Sequence, residues 1–414
     1  MNISRNIIRP VKTAWQTSCS LRQALIMALF VVAGGCVMLS VGGCERRPEL
    51  YLRKVVPTRF TITNLALELE TYWDYSFIYG VKYDWRGEWY YGWDKQDSAI
   101  FGPIGYTDPE VFNLRRYYTS MTPYAPHNRV QSHIVNGHEF TGDFEFGFWD
   151  ILVWNDIHTP DNVQSLILDE TSSLDSVTAS TNPSMRTSRY SAPRFTHAFN
   201  QPEELFSAYE QAIEINEDLE GFTWDELRNV WVKVLNMELT PVTYIYLTQV
   251  ILRHNNNKIT GVEGNCDFSG IARTTNVNTG RAGDDAVTLY YNTRFKQNCD
   301  MDGESVDIAG GRLLTFGIPG LTPRNFRTQA DEPELRRQLQ GKGRNNLAIN
   351  LQFNNGADST FVFDVTDQVH RRFRGGVITV MLDMDTIPIP SKTGGSGFNA
   401  EVEDYKEETH EIDM

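Results

Sequence analysis

Few residues of this 414-residue chain could do chemistry beyond packing: five cysteines, eight scattered histidines and a knot of tryptophans. The chain has no HExxH, no GxSxG and no GxxxxGK[ST]. "GKGRNN" lacks the further glycine and the following helix of a phosphate loop, so it reads as a turn. His133 and His138 stand five apart, a spacing that suits neither one face of a strand nor one face of a helix. Asp300, Asp302 and Glu304 around Gly303 resemble part of a calcium loop, but the ligand series is incomplete and a polar hairpin turn fits better. No metal or other cofactor is expected, and the chain reads as non-enzymatic.

The thiol that stands out is Cys44. It closes the apolar run "ALIMALFVVAGGCVMLSVGG" and opens the charged stretch "CERRPEL". Residues 1–43 carry Arg5, Arg9, Lys12 and Arg22 and no acid, so a basic stretch precedes an apolar one, as in a secretory signal. The run is also long enough to span a bilayer, and an uncleaved helix is the alternative. Small Gly42 and Gly43 before the cysteine, with Leu39, Ser40 and Val41 upstream, resemble a bacterial lipobox. In that motif the cysteine is acylated and the peptide before it removed. Cys36 is a weaker second candidate because apolar chain still follows it. Two or more acyl chains hold a protein firmly on a membrane, so the outer-membrane lipid bilayer is the partner expected through Cys44.

Without its four leading basic residues, the chain from Cys44 onward sets 34 Lys and Arg against 53 Asp and Glu. Such acidity argues against nucleic acid, whose phosphates need basic contacts. Beyond Cys44 only Cys266 and Cys299 remain. A pair in an exported chain suggests one disulfide, which would close a 33-residue loop worth ~3–4 kcal/mol; two separate thiols are the alternative.

The elements that would position these groups read mostly as strands. Odd positions from Leu65 to Trp85 are apolar or aromatic while even ones are largely polar, a period of two. The alternation returns at Phe140, Phe144, Phe146 and Phe148, followed by "FWDILVW" and "VQSLILDE". After Leu239 the runs "VTYIYLTQVIL", "AVTLYYNTRF", "GRLLTFGI", "LAINLQF", "STFVFDV" and "VITVMLDM" are separated by turns, the pattern of an all-β sandwich. Two helices are expected. "NQPEELFSAYEQAIEI" has Asn200 as cap, early Glu203 and Glu204, and Phe206, Tyr209 and Ile213 on one face; "DVTDQVHRRF" is the shorter. Residues 171–193, rich in Ser, Thr, Asn and Pro, are expected to be a loop. The organisation expected is a signal segment 1–43, a first β-sandwich 44–238, a second 239–390 and a flexible acidic tail 391–414. Trp85, Trp89, Tyr90, Tyr91 and Trp93 could stack on sugar rings, with Trp85, Trp89 and Trp93 the candidate platform; a core face and its edge is the favoured alternative.

"CERRPELYL", "YDWRGEWYYGWD", "FGPIGYTDPEVFNLRRYY", "LTPVTYIYLTQV", "SGIAR", "GGRLLTFG" and "FVFDVTDQV…GGVITVMLDM" together resemble a fimbrillin-like lipoprotein family of Bacteroidetes-type bacteria. The resemblance implies two tandem transthyretin-like β-sandwiches behind a lipidated cysteine. It also implies a place among outer-membrane pili and adhesins, with pilin subunits as partners through strand addition. In such relatives a protease specific for Arg or Lys removes an N-terminal strand; Arg53, Lys54 and Arg59 are the candidates here. Phe398, Ala400 and Val402 alternate in the tail and would suit a donor strand, against the simpler reading of a disordered tail. Asp97-Ser98-Ala99, Asp175-Ser176-Val177 and Asp358-Ser359-Thr360 match the short O-glycosylation sequon of such bacteria, with Ser176 the best placed. The function implied is a lipid-anchored surface protein, a pilus anchor, accessory or adhesin subunit. The alternative is a surface glycan-binding lipoprotein of a carbohydrate-uptake system.

Overall fold

The computed structural model describes residues 56–63, 88–107, 109–119, 129–157, 164–170, 176–187, 197–216, 218–227, 230–326, 329–391 and 400–402. All belong to one compact unit, Val55–Met414. Cys44, Arg53, Lys54, the alternating run up to Trp85, and Phe398 lie outside them.

The described chain is all-β, with three short helices: α1 (Lys95–Phe101), α2 (Glu332–Leu339) and α3 (Thr366–Arg371). None is long and apolar enough to cross a membrane. Two sheets share the first core. One is a three-stranded sheet in which β1 (Val56–Thr63) runs parallel to β13 (Val234–Glu238) and antiparallel to β4 (Glu139–Phe144). The other is antiparallel, in the order β14 (Thr240–Pro241), β10 (Phe206–Ile215), β5 (Gly147–Asn155), β2 (Val111–Thr119), β3 (Arg129–Asn136). Phe112, Leu114, Trp149, Ile151, Phe206 and Phe144 fill the space they share. Of the cleavage candidates, Arg59 is paired in the interior of β1.

The second core lies between a four-stranded and an eight-stranded sheet. The former has the order β20 (Arg294–Met301), β21 (Glu304–Thr315), β15 (Tyr244–Arg253), β24 (Gly376–Asp383). The latter joins β25 (Ala400–Val402), β23 (Asp358–Asp364), β22 (Asn346–Phe353), β17 (Asn265–Ala272), β19 (Ala286–Asn292), β9 (His197–Asn200) and β8 (Pro183–Thr187), with β16 (Ile259–Val262) also on β22. Tyr246, Val250, Leu252, Phe268, Leu289, Ile349 and Phe361 are among the residues that meet there. The sheets cross the expected boundary near Glu238. β8 and β9 extend a sheet built mainly from later strands, and β18 (Thr274–Asn276) pairs with β7 (Thr178–Thr181), itself paired with β6 (Leu166–Asp169). A half-buried arginine pins the same junction: Arg324 donates to the Ser207 carbonyl at 3.0 Å and the Thr240 carbonyl at 2.8 Å.

Three expectations change. Residues 206–215 form β10, not a helix. Phe206 and Ala208 point into the first core, a β-bulge follows Glu210, and Ile213 and Ile215 then point inward. The bulge brings Ile213 to the same side as Phe206, seven residues apart, while Tyr209 packs on the opposite side of the strand, so the apparent helix face mixed the two faces of β10. Glu203 and Glu204 serve as acceptors rather than dipole partners: Glu203 takes the N–H groups of Ser165 and Leu166, and Glu204 pairs with Arg312 at 2.6 Å. Second, the polar stretch 171–193 contains β7 and β8, because Val177, Ala179 and Thr181 alternate into a buried seam. Third, the tail supplies a strand: β25 adds parallel to β23, pairing Phe361–Phe363 with Ala400–Val402. The short helix over "DVTDQVHRRF" is present as α3.

Ala212, exposed in the bulge of β10, has φ 56°, a left-handed conformation that costs an L-residue ~1–2 kcal/mol and glycine little. Ala212→Gly should therefore leave the melting temperature unchanged or raise it, whereas Ala212→Val should lower it, as read by thermal unfolding followed by circular dichroism.

Candidate functional site

The outer face of the four-stranded sheet is where Trp89 and Trp93 of the expected aromatic platform meet an ionic cluster and one of the two thiols, Cys299. β15 is buried on both faces: Tyr246, Val250 and Leu252 face the second core, while Ile245, Leu247 and Ile251 face outward. The outward set is covered by a strap, residues 88–106, carrying Trp89, Tyr90, Tyr91, Trp93, Ile104 and Tyr106. Trp89 is 7% exposed and Tyr91 2%, their rings 5.3 Å apart. Trp89 and its neighbours are thus a core lid, the favoured reading of the aromatic knot; Trp85 lies outside the described residues.

One glutamine sets the register of the strap. Gln249 on β15 accepts the Tyr90 N–H at 3.0 Å and the Tyr91 N–H at 3.3 Å, and donates to the Glu88 carbonyl at 2.6 Å. Gly310 on β21 makes room for the strap, since a Cβ there would lie 2.6 Å from the Tyr91 ring.

An ionic latch closes the strap. Asp94 caps α1, accepting the N–H groups of Gln96 and Asp97, and Asp97 accepts the Asp94 N–H in return. That turn delivers Asp97, fully buried, to two cations of β20. Arg294 reaches it at 2.7 Å and Lys296 at 2.5 Å, and the Tyr91 hydroxyl donates to it at 2.8 Å. Lys296 also sits 4.0 Å from the centre of the Tyr91 ring. Burial alone would raise the Asp97 carboxyl, but hydrogen bonds from Lys296, the Asp94 N–H, Arg294 and Tyr91 outweigh it and hold the carboxyl below its ordinary value. The stabilisation is therefore complete above the unfolded carboxylate value of ~3.9 and is lost as pH falls through the depressed folded value.

The expected disulfide is not formed; Cys266 and Cys299 are both free. Cys266 lies in the second core, 3.6 Å from the Thr293 hydroxyl, whereas Cys299 lies under the strap on the opposite face of the sheet. A bulge decides this. Phe295 packs on the second core, and strict alternation would put Cys299 on that same side. The register shift between Lys296 and Cys299, with Asn298 at φ 55°, turns the cysteine over. Burial pushes the Cys266 thiol up to about 12 and raises that of Cys299.

The remaining candidates are dispersed. Ser359 is buried at 3% exposure, and Ser98 belongs to α1, where its hydroxyl donates to the Asp94 carbonyl. Ser176 is half-buried at the entry to β7, its carbonyl accepting from Thr178. His133 packs on Phe140 and His138 on Phe112. Asp300 accepts the Gly303 N–H in the β20–β21 turn, and Glu304 pairs with Arg253 at 2.8 Å. The structure also juxtaposes groups with no signal in the sequence. Parallel pairing of β15 with β24 brings exposed His254 within 3.0 Å of Asp383, and Asp385 lies beside them. The hydrogen bond to Asp383 raises the His254 value.

No family model and no curated protein matches the chain. Among solved structures it is similar to a candidate adhesin from Bacteroides ovatus, with 13% identity and a TM-score of 0.44 over 85% of this chain and 94% of that one. It is similar also to a candidate adhesin from Bacteroides thetaiotaomicron, with 9% identity and a TM-score of 0.42 over 80% and 91% of the two chains. A third is the fimbrial anchor protein Mfa2 of Porphyromonas gingivalis, at 12% identity and a TM-score of 0.38 over 79% and 90%.

Removing the latch should loosen the strap. Asp97→Ala removes the buried one of the two carboxylates that Arg294 and Lys296, 23% and 15% exposed, share; Asp94 still pairs with both, at 2.9 and 3.3 Å, so the change should cost ~1–3 kcal/mol, below the loss from an uncompensated buried pair. Denaturant titration followed by tryptophan fluorescence reads this, and the wild-type advantage should shrink below pH 4. In the same assay Trp89→Ala should cost ~3–5 kcal/mol, as for a core tryptophan.

The thiols make a separate prediction. Without denaturant or reductant, iodoacetamide should leave Cys266 unlabelled; in denaturant alone, both Cys266 and Cys299 should be labelled. Peptide mass spectrometry that found a Cys266–Cys299 crosslink would contradict the free thiols.

Proposed function

We propose that the chain is a non-enzymatic lipid-anchored protein of the outer membrane, exposed on the cell surface as a pilus anchor, accessory or adhesin subunit. The observation that carries this reading is the sequence at Cys44, where small residues precede a cysteine at the change from apolar to charged chain. Behind it stands an all-β body, an architecture suited to display rather than chemistry. Its buried and half-buried charged groups support the same reading. Asp97, Arg294 and Lys296 are spent on one another, and Arg312 and Arg324 on holding strands together. The edge of the eight-stranded sheet accepts a short parallel strand from the tail, which agrees with partner contacts by strand addition. Fimbrial anchoring is what is said of Mfa2, and we extend that role to this chain as part of the proposal.

The test is the mass of the N-terminal peptide of the protein recovered from a native-type host, beside a Cys44→Ala variant and protease treatment of intact cells. An acylated peptide beginning at Cys44, lost in the variant, with the body cleaved on intact cells, is the expected result. An unmodified N-terminus, or a body protected from protease, would overturn the reading.

A further inference from the structure

The largest exposed aromatic group of the described residues is remote from the strap in sequence. β11 (Thr223–Asp225) and β12 (Val230–Val232) form a two-stranded hairpin outside the larger sheets. Its register sets Trp224 directly opposite Trp231, so both side chains leave the same face. Their rings meet edge to face, with centroids 5.4 Å apart at 63°, and the residues remain 44% and 40% exposed. A tryptophan needed only for packing would be covered, as Trp89, Trp149 and Trp154 are.

At the base of this hairpin is a cavity of about 340 Å³ lined by Glu214, Asn216, Glu220, Gly221, Phe222 and Lys233. That volume falls in the ~300–1,000 Å³ range of small-molecule sites. Its floor is built. The Lys233 ammonium lies 5.6 Å from the centre of the Phe222 ring and donates to the Glu220 carbonyl at 3.4 Å. The Asn216 amide donates to the Glu214 carboxylate at 3.2 Å. Phe222 precedes Trp224 by two residues and Lys233 follows Trp231 by two. Phe222 immediately precedes β11 and Lys233 immediately follows β12, so the cavity adjoins the base of the hairpin that carries the tryptophans.

We infer that this hairpin and cavity form a binding site for a neutral oligosaccharide. One pyranose ring stacks its apolar C–H face on the tryptophan pair, and the next ring enters the cavity. There the carboxylates of Glu214 and Glu220 accept from its hydroxyls, and Asn216 and Lys233 bond them as donors. Stacked rings with one polar edge each are the chemistry that an aromatic face beside a ring of acceptors recognises. Charge selects a neutral glycan: two carboxylates against one ammonium in the cavity, on a chain of net charge −15, repel uronic acids and sulfated sugars. The same acids, with Asp225 and Glu226 beside the exposed Leu227, oppose insertion into an anionic membrane. This site is separate from the Trp89 and Trp93 strap. It deepens the surface reading by naming a ligand class, and it stands whether or not Cys44 is acylated.

The test uses the full chain purified in detergent and a panel of neutral gluco-, galacto-, manno- and xylo-oligosaccharides of two to six units. Binding is read by tryptophan fluorescence and calorimetry. At least one series should bind; Trp224→Ala and Trp231→Ala should each weaken it about 10-fold or more, with melting lowered far less than by Trp89→Ala, since the two residues are 44% and 40% exposed. Trp224→Phe should retain most of the affinity, and Glu214→Gln with Glu220→Gln should weaken binding without touching the stack. The inference is overturned if no series binds, or if binding survives both alanine variants. It is equally overturned if those variants alter only sedimentation with phosphatidylcholine–phosphatidylglycerol vesicles or only self-association. The N-terminal mass measurement reports on anchoring separately, so failure of one reading is not mistaken for failure of the other.

Discussion

β15 is apolar on both faces, and much of the architecture answers that constraint. A strand buried twice needs two partners, and a single sandwich supplies only one. The eight-stranded sheet covers one face. The other is covered by an irregular strap that carries its own aromatics and is held at Asp97. Because the strap is not part of a sheet, its backbone groups need other partners, and Gln249 supplies three of them from the middle of the strand it covers. The ionic latch then fixes the far end, where α1 turns the chain away. Arg312 extends the same logic, reaching from β21 to the Ile104 and Gly105 carbonyls and to Glu204.

The all-β class was legible because strands such as β4 and β23 alternate buried and exposed positions. The doubly buried strands were legible too, as continuous runs such as "FWDILVW" and "VTYIYLTQVIL". What misled were the bulges. In β10 one extra residue made a strand resemble a helix, and in β20 one extra residue put two cysteines on opposite sides of a sheet. A bulge leaves no composition mark when its left-handed residue is alanine or asparagine rather than glycine.

The site was less legible than the fold, for a different reason. Asp97 lies 197 residues from Arg294 and 199 from Lys296, and no local pattern announces a charge cluster assembled across that distance. Its aspartate is part of a sequon match in the sequence and the centre of a latch in the structure. Trp224 and Trp231 stand seven apart, a spacing that suggests a helix face; only closure of the turn between them shows that they are cross-strand neighbours. The strap tryptophans were the more conspicuous by density, yet density marked burial, and the sparser pair is the one that faces water.

Gln249 holds the strap by its main chain, whereas Gly310 holds it by shape. The first contact is indifferent to which side chains stand at 88, 90 and 91; the second leaves room for the Tyr91 ring only while position 310 has no Cβ. Mutational drift therefore acts unevenly here. Position 90 can be rewritten with little effect on register, but 91 and 310 are bound to change together, since a lost ring leaves a void over the glycine and a gained methyl expels the ring. Two positions 219 apart in the chain are thus coupled by shape, because a Cβ at 310 would lie 2.6 Å from the Tyr91 ring.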